Sequence, residues 1–304
     1  MEESIYKYLK VGLVQSQAYP DSFVSDENCI ENFGKTSGDT FFNAVEFHSP
    51  KDRAIRKECM KILKDSGMYR VYMGTVEFAN TSSNMISFDK SARKAALGIS
   101  CRLIDDALEW EAEEILFFSA PDVGEEHRKE AYKYLEEYYI NLADYIARQD
   151  RIKLTMEIND RNPIAKNFLC GPIEEAIAVC ENVKKHYPDF GLTIDLCHLP
   201  LLEEEPRATV LKAKDMFVHA HIGTCVKNPK SELRGDTHPG FQVEYSENNV
   251  NDVVEFIKAG IESEAISTEH AMPLSIEVRP YGDQTADDVV EYAKDILRNA
   301  WKEV

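Results

Sequence analysis

The sequence lacks the features that would take a protein into a membrane or onto nucleic acid. It contains no apolar run close to the roughly eighteen residues that a membrane span needs. The N-terminal segment MEESIYKYLKVG has no basic region followed by an apolar core, so a secretory signal peptide is not expected. Positive charge is scarce, with 35 Lys and Arg against 54 Asp and Glu, and the net charge of −19 repels phosphate backbones. We therefore expect neither membranes nor nucleic acid as partners.

Cysteine motifs and dinucleotide-binding motifs are also missing. Seven cysteines, an odd number, are scattered without a CxxC pair, which is typical of reduced thiols in a cytoplasmic protein. No GxGxxG follows an early apolar run. What the chain does have is 304 residues, 43% of them hydrophobic, enough for one large α/β domain or two medium ones.

Short apolar runs alternate with amphipathic helical patterns along the whole chain. The runs that predict strands are 10–16, 40–47, 69–78, 113–120, 152–158, 190–196, 216–222 and 273–279. Helical patterns between them include 88–112, 125–149, 172–186, 249–263 and 285–302. Near-continuous apolar strands alternating with helices predict a parallel sheet covered on both faces. Eight such strands predict a single (β/α)8 TIM barrel over residues 1–304, with a doubly wound open sheet as the alternative.

Each of the last four predicted strands ends on a polar residue. These residues are Glu157, Asp195, His221 and Glu277. In a barrel, strand ends of this kind point into one mouth, where three carboxylates repel one another unless they bind protons or a cation. An oxygen-rich set with one nitrogen favours a hard or borderline divalent ion such as Mn²⁺, Mg²⁺ or Co²⁺, whereas a structural zinc site prefers Cys and more His.

Other polar residues lie near the same predicted mouth. His198 follows Asp195 by one turn, where it could contact a ligand carboxylate or a substrate oxygen. His219 precedes His221 by two residues on the same side of the strand, so we expect it deeper in the barrel. Three further residues follow earlier strands and either reach the pocket or cap their loops: Glu46, His48 and Glu77.

The ordered set of four resembles the ligand set of the sugar phosphate isomerase/epimerase superfamily, the xylose isomerase-like barrels. That group includes tagatose/psicose 3-epimerases, inosose dehydratases, hydroxypyruvate isomerases and the endonuclease IV branch. The likeness spans the whole chain, and D-x-x-H in DLCH and H-x-H-x-G in HAHIG add to it. It implies that Glu157, Asp195, His221 and Glu277 hold one divalent ion. Mn²⁺ is the expected metal, and Mg²⁺, Co²⁺ and Zn²⁺ are the alternatives.

The resemblance also implies the chemistry. The two glutamates, Glu157 and Glu277, would act as acid and base on opposite faces of a bound ketose. Moving a proton from a carbon beside a carbonyl requires stabilisation of an enediolate, which a metal on the carbonyl and hydroxyl oxygens provides. Return of the proton to the opposite face of the same carbon inverts the configuration of that carbon. Return to the neighbouring carbon isomerises the sugar.

Predicted substrate contacts depart in part from the ketose 3-epimerases. His198 matches their substrate-contacting histidine. A second glutamate usually lies six residues after the first ligand, where this chain has Pro163, and an arginine six after the histidine ligand, where it has Lys227.

A long segment without regular patterning, about 225–249, follows the seventh strand and is predicted to be a lid over the mouth, with a peripheral excursion or a subunit contact as the alternative. The predicted substrate-binding residues are His198, Lys227, His238 and Arg279.

The sequence leaves several functions open. A metal-dependent inosose-type dehydratase and a catalytic subunit acting on 3-keto-glycosides, completed by a small partner chain, would use the same enolisation. A sugar-binding barrel without turnover is the non-enzymatic alternative, and a homo-oligomer stays open. An endonuclease is disfavoured, because it needs more metal ligands and a basic face. No phosphate-cradling glycine loop stands out in the last two units, which favours an unphosphorylated carbohydrate substrate.

Overall fold

Eight parallel strands curl into one nearly closed barrel in the computed structural model, which describes residues 1–79, 81, 83–149 and 152–304. The strands are β1 (Leu9–Leu13), β2 (Ala44–Phe47), β3 (Tyr69–Met73), β4 (Glu114–Phe118), β5 (Lys153–Ile158), β6 (Gly191–Asp195), β7 (Phe217–Ile222) and β8 (Met272–Ile276). Each is shorter than predicted, but all eight predicted strands are present. Consecutive strands are neighbours, and β1 pairs with β8. The predicted barrel is therefore confirmed, and the doubly wound sheet is wrong.

The two ends of the sheet meet between β1 and β2. Here the parallel bridge between Val14 and Glu46 and the hydrogen bond from Asn43 N to Val11 O, 2.9 Å, join the strands. By contrast, β1 and β8 are paired over five residues from Leu9 to Leu13. The seam between β1 and β2 is thus the lightly joined part of the barrel wall.

Helices return the chain from the end of each strand to the start of the next. They are α1 (Gln15–Ala18), α2 (Asp26–Gly38), α3 (Arg53–Ser66), α4 (Gly74–Ala79), α5 (Lys90–Glu109), α6 (Glu125–Ile146), α7 (Ile173–Lys184), α8 (Leu199–Leu202), α9 (Pro206–Ala213), α10 (Val250–Glu262) and α11 (Ala286–Glu303), with short 3-10 turns at Ile5–Lys7 and Pro20–Phe23. The five predicted helices are all present. Local sequence fixes several starts: Asp52 and Thr285, for example, accept hydrogen bonds from backbone N–H groups in the first turns of α3 and α11.

The third strand is where the prediction was wrong at its C-terminal end. The apolar run 69–78 predicted one strand, but β3 ends at Met73 and α4 begins at Gly74. A Cβ atom on Gly74 would lie 2.5 Å from the ring of Phe117 on β4, so only glycine permits this close approach. A short apolar run does not by itself distinguish a strand from a strand followed by a buried helix.

Further sequence predictions concern the cysteines, membrane-spanning helices, the segment 225–249 and Glu77. All seven cysteines are free thiols, as predicted. Within the described residues, none of the helices combines the length and the apolar character that a membrane crossing requires. Residues 225–249 contain neither helix nor strand, as their composition predicts. The side chain of Glu77 lies outside what the structure describes.

Two glycines give a matched test of the close contact at the start of α4. We expect Gly74→Ala to lower the free energy of unfolding by about 1–3 kcal/mol, because the added methyl group overpacks against Phe117. Gly98 lies inside α5 with Arg102 Nη1, 4.0 Å away, as the neighbour of an added Cβ. Gly98→Ala should therefore raise stability by roughly 0.5–1 kcal/mol. Urea unfolding followed by circular dichroism measures both, and equal effects of the two substitutions would contradict the packing argument.

Candidate active site

Four buried residues from four consecutive strands come together at the C-terminal mouth of the barrel. Glu157 on β5, Asp195 at the end of β6, His221 on β7 and Glu277 directly after β8 each bring a ligand-type atom to within 4.8 Å of the others. Their side chains are at most 7% exposed. The structure therefore brings together the four residues that the sequence singled out.

The atoms of this group face one another without forming hydrogen bonds. His221 Nδ1 lies 2.8 Å from Glu277 Oε2, yet among the described residues neither atom has a hydrogen-bond partner. Asp195 Oδ2 is likewise buried and unpartnered in the described part of the chain. Burial of a polar atom without a hydrogen-bond partner costs free energy of folding. Carboxylate oxygens and an imidazole nitrogen that converge in this way can share a bound cation. Three carboxylates and one imidazole thus fit a divalent metal ion.

His221 is oriented from behind by a chain of alternating acidic and basic groups. Its Nε2 donates to Glu46, 3.0 Å from Oε1, which leaves Nδ1 directed at the mouth. His219 lies deeper, with Nε2 2.8 Å from Glu46 and Nδ1 2.6 Å from Glu114. Lys153 ends the chain, 3.4 Å from Glu114. Carboxylates of this kind fix the tautomer and ring direction of a metal-binding histidine.

The electrostatics of these groups follow from burial and close neighbours. Burial would raise the pKa of Glu46, but His221 and His219 outweigh it and hold the pKa well below its usual value. Burial alone would lower the pKa of His219, but Glu114 and Glu46 outweigh it and raise the pKa. For Glu277, His238 and His221 overcome burial and lower the pKa to about 2. The charged forms of Glu46 and Glu277 are therefore favoured inside the barrel.

His198 lies beside two members of the group, as predicted from its position after Asp195. Its Nε2 is 3.4 Å from Glu157 Oε1 and 3.3 Å from Asp195 Oδ2, and the ring is fully buried. The side-chain amide of Asn159 is 3.3 Å from the same nitrogen. The turn after β6, which leads into α8, holds the imidazole in this place.

The irregular segment 225–249 carries a second imidazole into the site. His238 is 2% exposed, and its Nε2 lies 3.7 Å from Glu277 Oε1 and 2.8 Å from Asp236 Oδ1. Its φ of 48° is in the left-handed region, which is uncommon outside glycine and asparagine. Asp236 and the other acids overcome burial and raise the pKa of His238 to about 10. Segment 225–249 therefore contacts the four-residue group, and its role as a lid stays a prediction.

Sequence reasoning missed two groups that complete this corner of the site. Asp236 is almost fully buried, and Lys166 Nζ lies 2.6 Å from its Oδ2. Lys166 comes from the loop after β5, which Asp160 organises by accepting hydrogen bonds from three backbone N–H groups, those of 162, 166 and 167. The available signal for Asp236 was its position two residues before His238 in RGDTHPG.

Two of the predicted substrate contacts point elsewhere in the structure. Lys227 Nζ donates to the carbonyl of Pro200 at 3.0 Å, which ties the segment 225–249 to α8. The Arg279 guanidinium lies over the ring of Tyr281, 5.9 Å from its centre, while the backbone N–H of Arg279 donates to the backbone carbonyl of His238 at 2.7 Å. Their substrate-binding roles stay predictions.

Comparison with known proteins supports the fold and the family. Residues 36–259, more than half of the chain, match the family model described as xylose isomerase-like TIM barrel. The chain belongs to this family. The resemblance inferred from the sequence is therefore confirmed. No curated protein shows significant sequence similarity to the chain.

Solved structures with the same fold include several sugar epimerases. A D-tagatose 3-epimerase-like protein superposes with a TM-score of 0.70 at 16% identity, covering 97% of this chain and 99% of that chain. The 3-keto-D-glucoside 4-epimerase from E. coli gives 0.66 at 16% identity, covering 97% and 99%. The D-psicose 3-epimerase from Clostridium cellulolyticum H10 gives 0.63 at 15% identity, covering 97% of each chain. At such low identity these likenesses show a shared fold.

The contact between Glu46 and His221 generates a test at one step from the mouth. We expect Glu46→Gln to weaken Mn²⁺ binding by roughly 10–100-fold, because a neutral amide orients His221 less well than a carboxylate. Glu114→Gln is the matched control, since it alters the same kind of contact with His219 without touching His221. Isothermal titration calorimetry measures both affinities. Equal losses in the two variants would mean that Glu46 acts only through general stability of the barrel.

Proposed function

We propose that this protein is a divalent-metal-dependent sugar epimerase or isomerase that transfers a proton next to a carbonyl group. The observation that carries the proposal is the convergence of Glu157, Asp195, His221 and Glu277 at the barrel mouth, where one atom each of Asp195, His221 and Glu277 has no hydrogen-bond partner among the described residues. Membership of the xylose isomerase-like family supports it. The reaction would use a keto-sugar or a related polyol as substrate.

The four residues would hold one ion, with Mn²⁺ as the proposed metal and Mg²⁺, Co²⁺ or Zn²⁺ as alternatives. When bound, such an ion supplies stabilisation for the negative charge of an enediolate. The protein supplies its own contribution through buried, fixed groups. Glu46 holds the ring of His221, so the direction of the ligand nitrogen is set before any substrate arrives.

Each proposed acid/base glutamate has a histidine beside it. Glu157 on β5 lies next to His198, and Glu277 after β8 lies next to His238. Strands β6 and β7 separate the two glutamates along the barrel wall, and the proposal places the substrate over the mouth with one carboxylate towards each face of the reacting carbon. One glutamate would remove the proton and the other would return it, which inverts the carbon. Return to the neighbouring carbon would give aldose–ketose isomerisation.

A second candidate, acting on 3-keto-glycosides, has a specific observation in its favour. The fold is shared with a 3-keto-D-glucoside 4-epimerase. Ketose 3-epimerases carry a second glutamate six residues after the first strand-end glutamate, and this chain has Pro163 at that position. The pocket therefore differs from one built for a free ketohexose. The same two glutamates would serve both reactions, and an elimination by the same route would make the enzyme a lyase.

Deuterium wash-in tests the proposal directly. The Mn²⁺-loaded protein is incubated in D₂O with keto-sugars, keto-inositols and 3-keto-glycosides, and each carbon is followed by NMR. We expect exchange at one carbon, loss of at least about 100-fold in Glu157→Gln and in Glu277→Gln, and loss on chelation with recovery when Mn²⁺ is restored.

Glu174→Gln is the control for the two glutamate variants, because Glu174 lies in the exposed first turn of α7 and pairs with Lys212. It should exchange at the wild-type rate. Tight Mn²⁺ binding without exchange on any of these compounds would overturn the enzymatic proposal and favour a sugar-binding barrel.

The histidine from segment 225–249 can be removed without disturbing its backbone. Asparagine tolerates the left-handed conformation that His238 adopts, so His238→Asn keeps the loop while it removes the imidazole beside Glu277. We expect kcat for exchange to fall by about 10–100-fold with Mn²⁺ affinity within about threefold of wild type. Steady-state exchange rates and calorimetry separate the two effects. An unchanged kcat would remove His238 from the mechanism.

A further inference from the structure

An aromatic cavity opens beside the proposed catalytic group. It has a volume of about 360 Å³, and its lining includes Phe78, Asn84, Phe118, Ser119, Pro121 and Phe168. Three of its rings form a continuous wall: Phe118 is 5.1 Å from Phe168 and 6.4 Å from Phe78, centre to centre. Both Phe118 and Phe168 are half-buried, so part of each ring is available to a ligand. Small-molecule sites have volumes of about 300–1,000 Å³, so the cavity can hold one ring system.

Strand register places this wall next to Glu157. Phe118, the last residue of β4, pairs with Glu157 on β5. Residues paired across neighbouring parallel strands point to the same face, and such strands lie about 4.8 Å apart. The ring of Phe118 therefore enters the mouth on the same side as the glutamate. Phe118 therefore belongs both to the cavity wall and to the side of the mouth that carries Glu157.

The wall is held in place by backbone hydrogen bonds within the loop after β5 and between that loop and the loop after β4. Phe168 N donates to Asp160 O at 2.8 Å, and Leu169 N donates to Ala120 O at 2.7 Å. Pro121 and Phe168 form an antiparallel bridge. The loop that presents Phe168 is thus fixed at both of its edges, which lowers the cost of ordering it when a ligand binds.

The chemistry of the lining distinguishes between candidate ligands. Ser119 Oγ already accepts a hydrogen bond from Cys170 N at 3.0 Å, and Asn84 Oδ1 accepts one from Ile86 N at 2.9 Å. Along the three phenylalanine rings, a hydroxyl group would lose hydrogen bonds to water and gain none from the rings. A planar apolar ring would gain both buried area and ring-to-ring contact.

We propose that the natural substrate carries a planar apolar group, as in an aryl glycoside of a keto-sugar, and that the cavity beside Phe118 and Phe168 binds this group while the sugar lies between the two glutamates. The proposal rests on the proposed function for the position of the sugar. It narrows the substrate class from keto-sugars in general to those bearing an aryl substituent.

Paired substrates test the proposal. Exchange in D₂O is measured for the phenyl and the methyl glycoside of the same 3-keto-glucose with the Mn²⁺-loaded enzyme. We expect kcat/KM for the phenyl compound to exceed that for the methyl compound by roughly 10–200-fold, as apolar pockets discriminate. In Phe168→Ala and Phe118→Ala this ratio should fall towards one. Phe88→Ala is the control, because Phe88 is exposed and packs on His127 and Tyr134 away from the cavity, and its ratio should equal that of wild type.

A binding measurement separates this proposal from the proposed function. Saturation-transfer NMR with the unoxidised phenyl and methyl β-glucosides reports contact of the phenyl protons without turnover. Equal kcat/KM for the two keto-glycosides would overturn the aryl site while the epimerase proposal stands. Absent exchange together with phenyl contact that Phe168→Ala abolishes would support the site and overturn the enzymatic function. Neither exchange nor phenyl contact would overturn both, provided that circular dichroism shows folded protein.

Discussion

The structure depends on the accommodation of several buried carboxylates inside one barrel. Glu46, Glu114, Asp195 and Glu277 are all almost fully buried, and an unpaired charge in such a place is costly. Histidine side chains lie between these carboxylates and pair with them. His219 lies between Glu114 and Glu46, and His221 lies between Glu46 and Glu277, so both ring nitrogens of each histidine face carboxylates. The strands that carry these residues are otherwise apolar, as in other barrels. The buried carboxylates and histidines are the feature that distinguishes this barrel.

Two loops complete the arrangement that the strands begin. The loop after β5 is folded around Asp160 and contributes Lys166 at one edge and Phe168 at the other. The long segment after β7 contributes Asp236 and His238, and these four side chains divide the mouth into a charged side and an aromatic side. His238 adjoins Glu277, and Phe168 packs against Phe118, which pairs with Glu157.

Much of this could be predicted from the sequence, because it is local. Apolar runs and their spacing predicted eight strands, and strand-end positions predicted the four residues that converge. The end of β3 could not be predicted, since the close approach of Gly74 to Phe117 depends on a neighbouring strand. The roles of Asp236 and Lys166 depend on where two long irregular loops meet, and no periodic pattern encodes that. The side chains of Lys227 and Arg279 illustrate the same limit, because a backbone carbonyl and a tyrosine ring engage them.

Glu46 has two neighbours that belong to different levels of the structure. Its backbone forms the bridge to Val14 at the seam of the barrel, and its side chain holds His221. Opening of the seam would therefore loosen the histidine, and anything that holds the histidine resists opening of the seam. By linkage, a ligand bound at 100 times its dissociation constant stabilises the folded state by about 2.7 kcal/mol. In this barrel, part of that free energy would stabilise the junction between β1 and β2. Occupancy of the mouth and closure of the wall would then be coupled through Glu46.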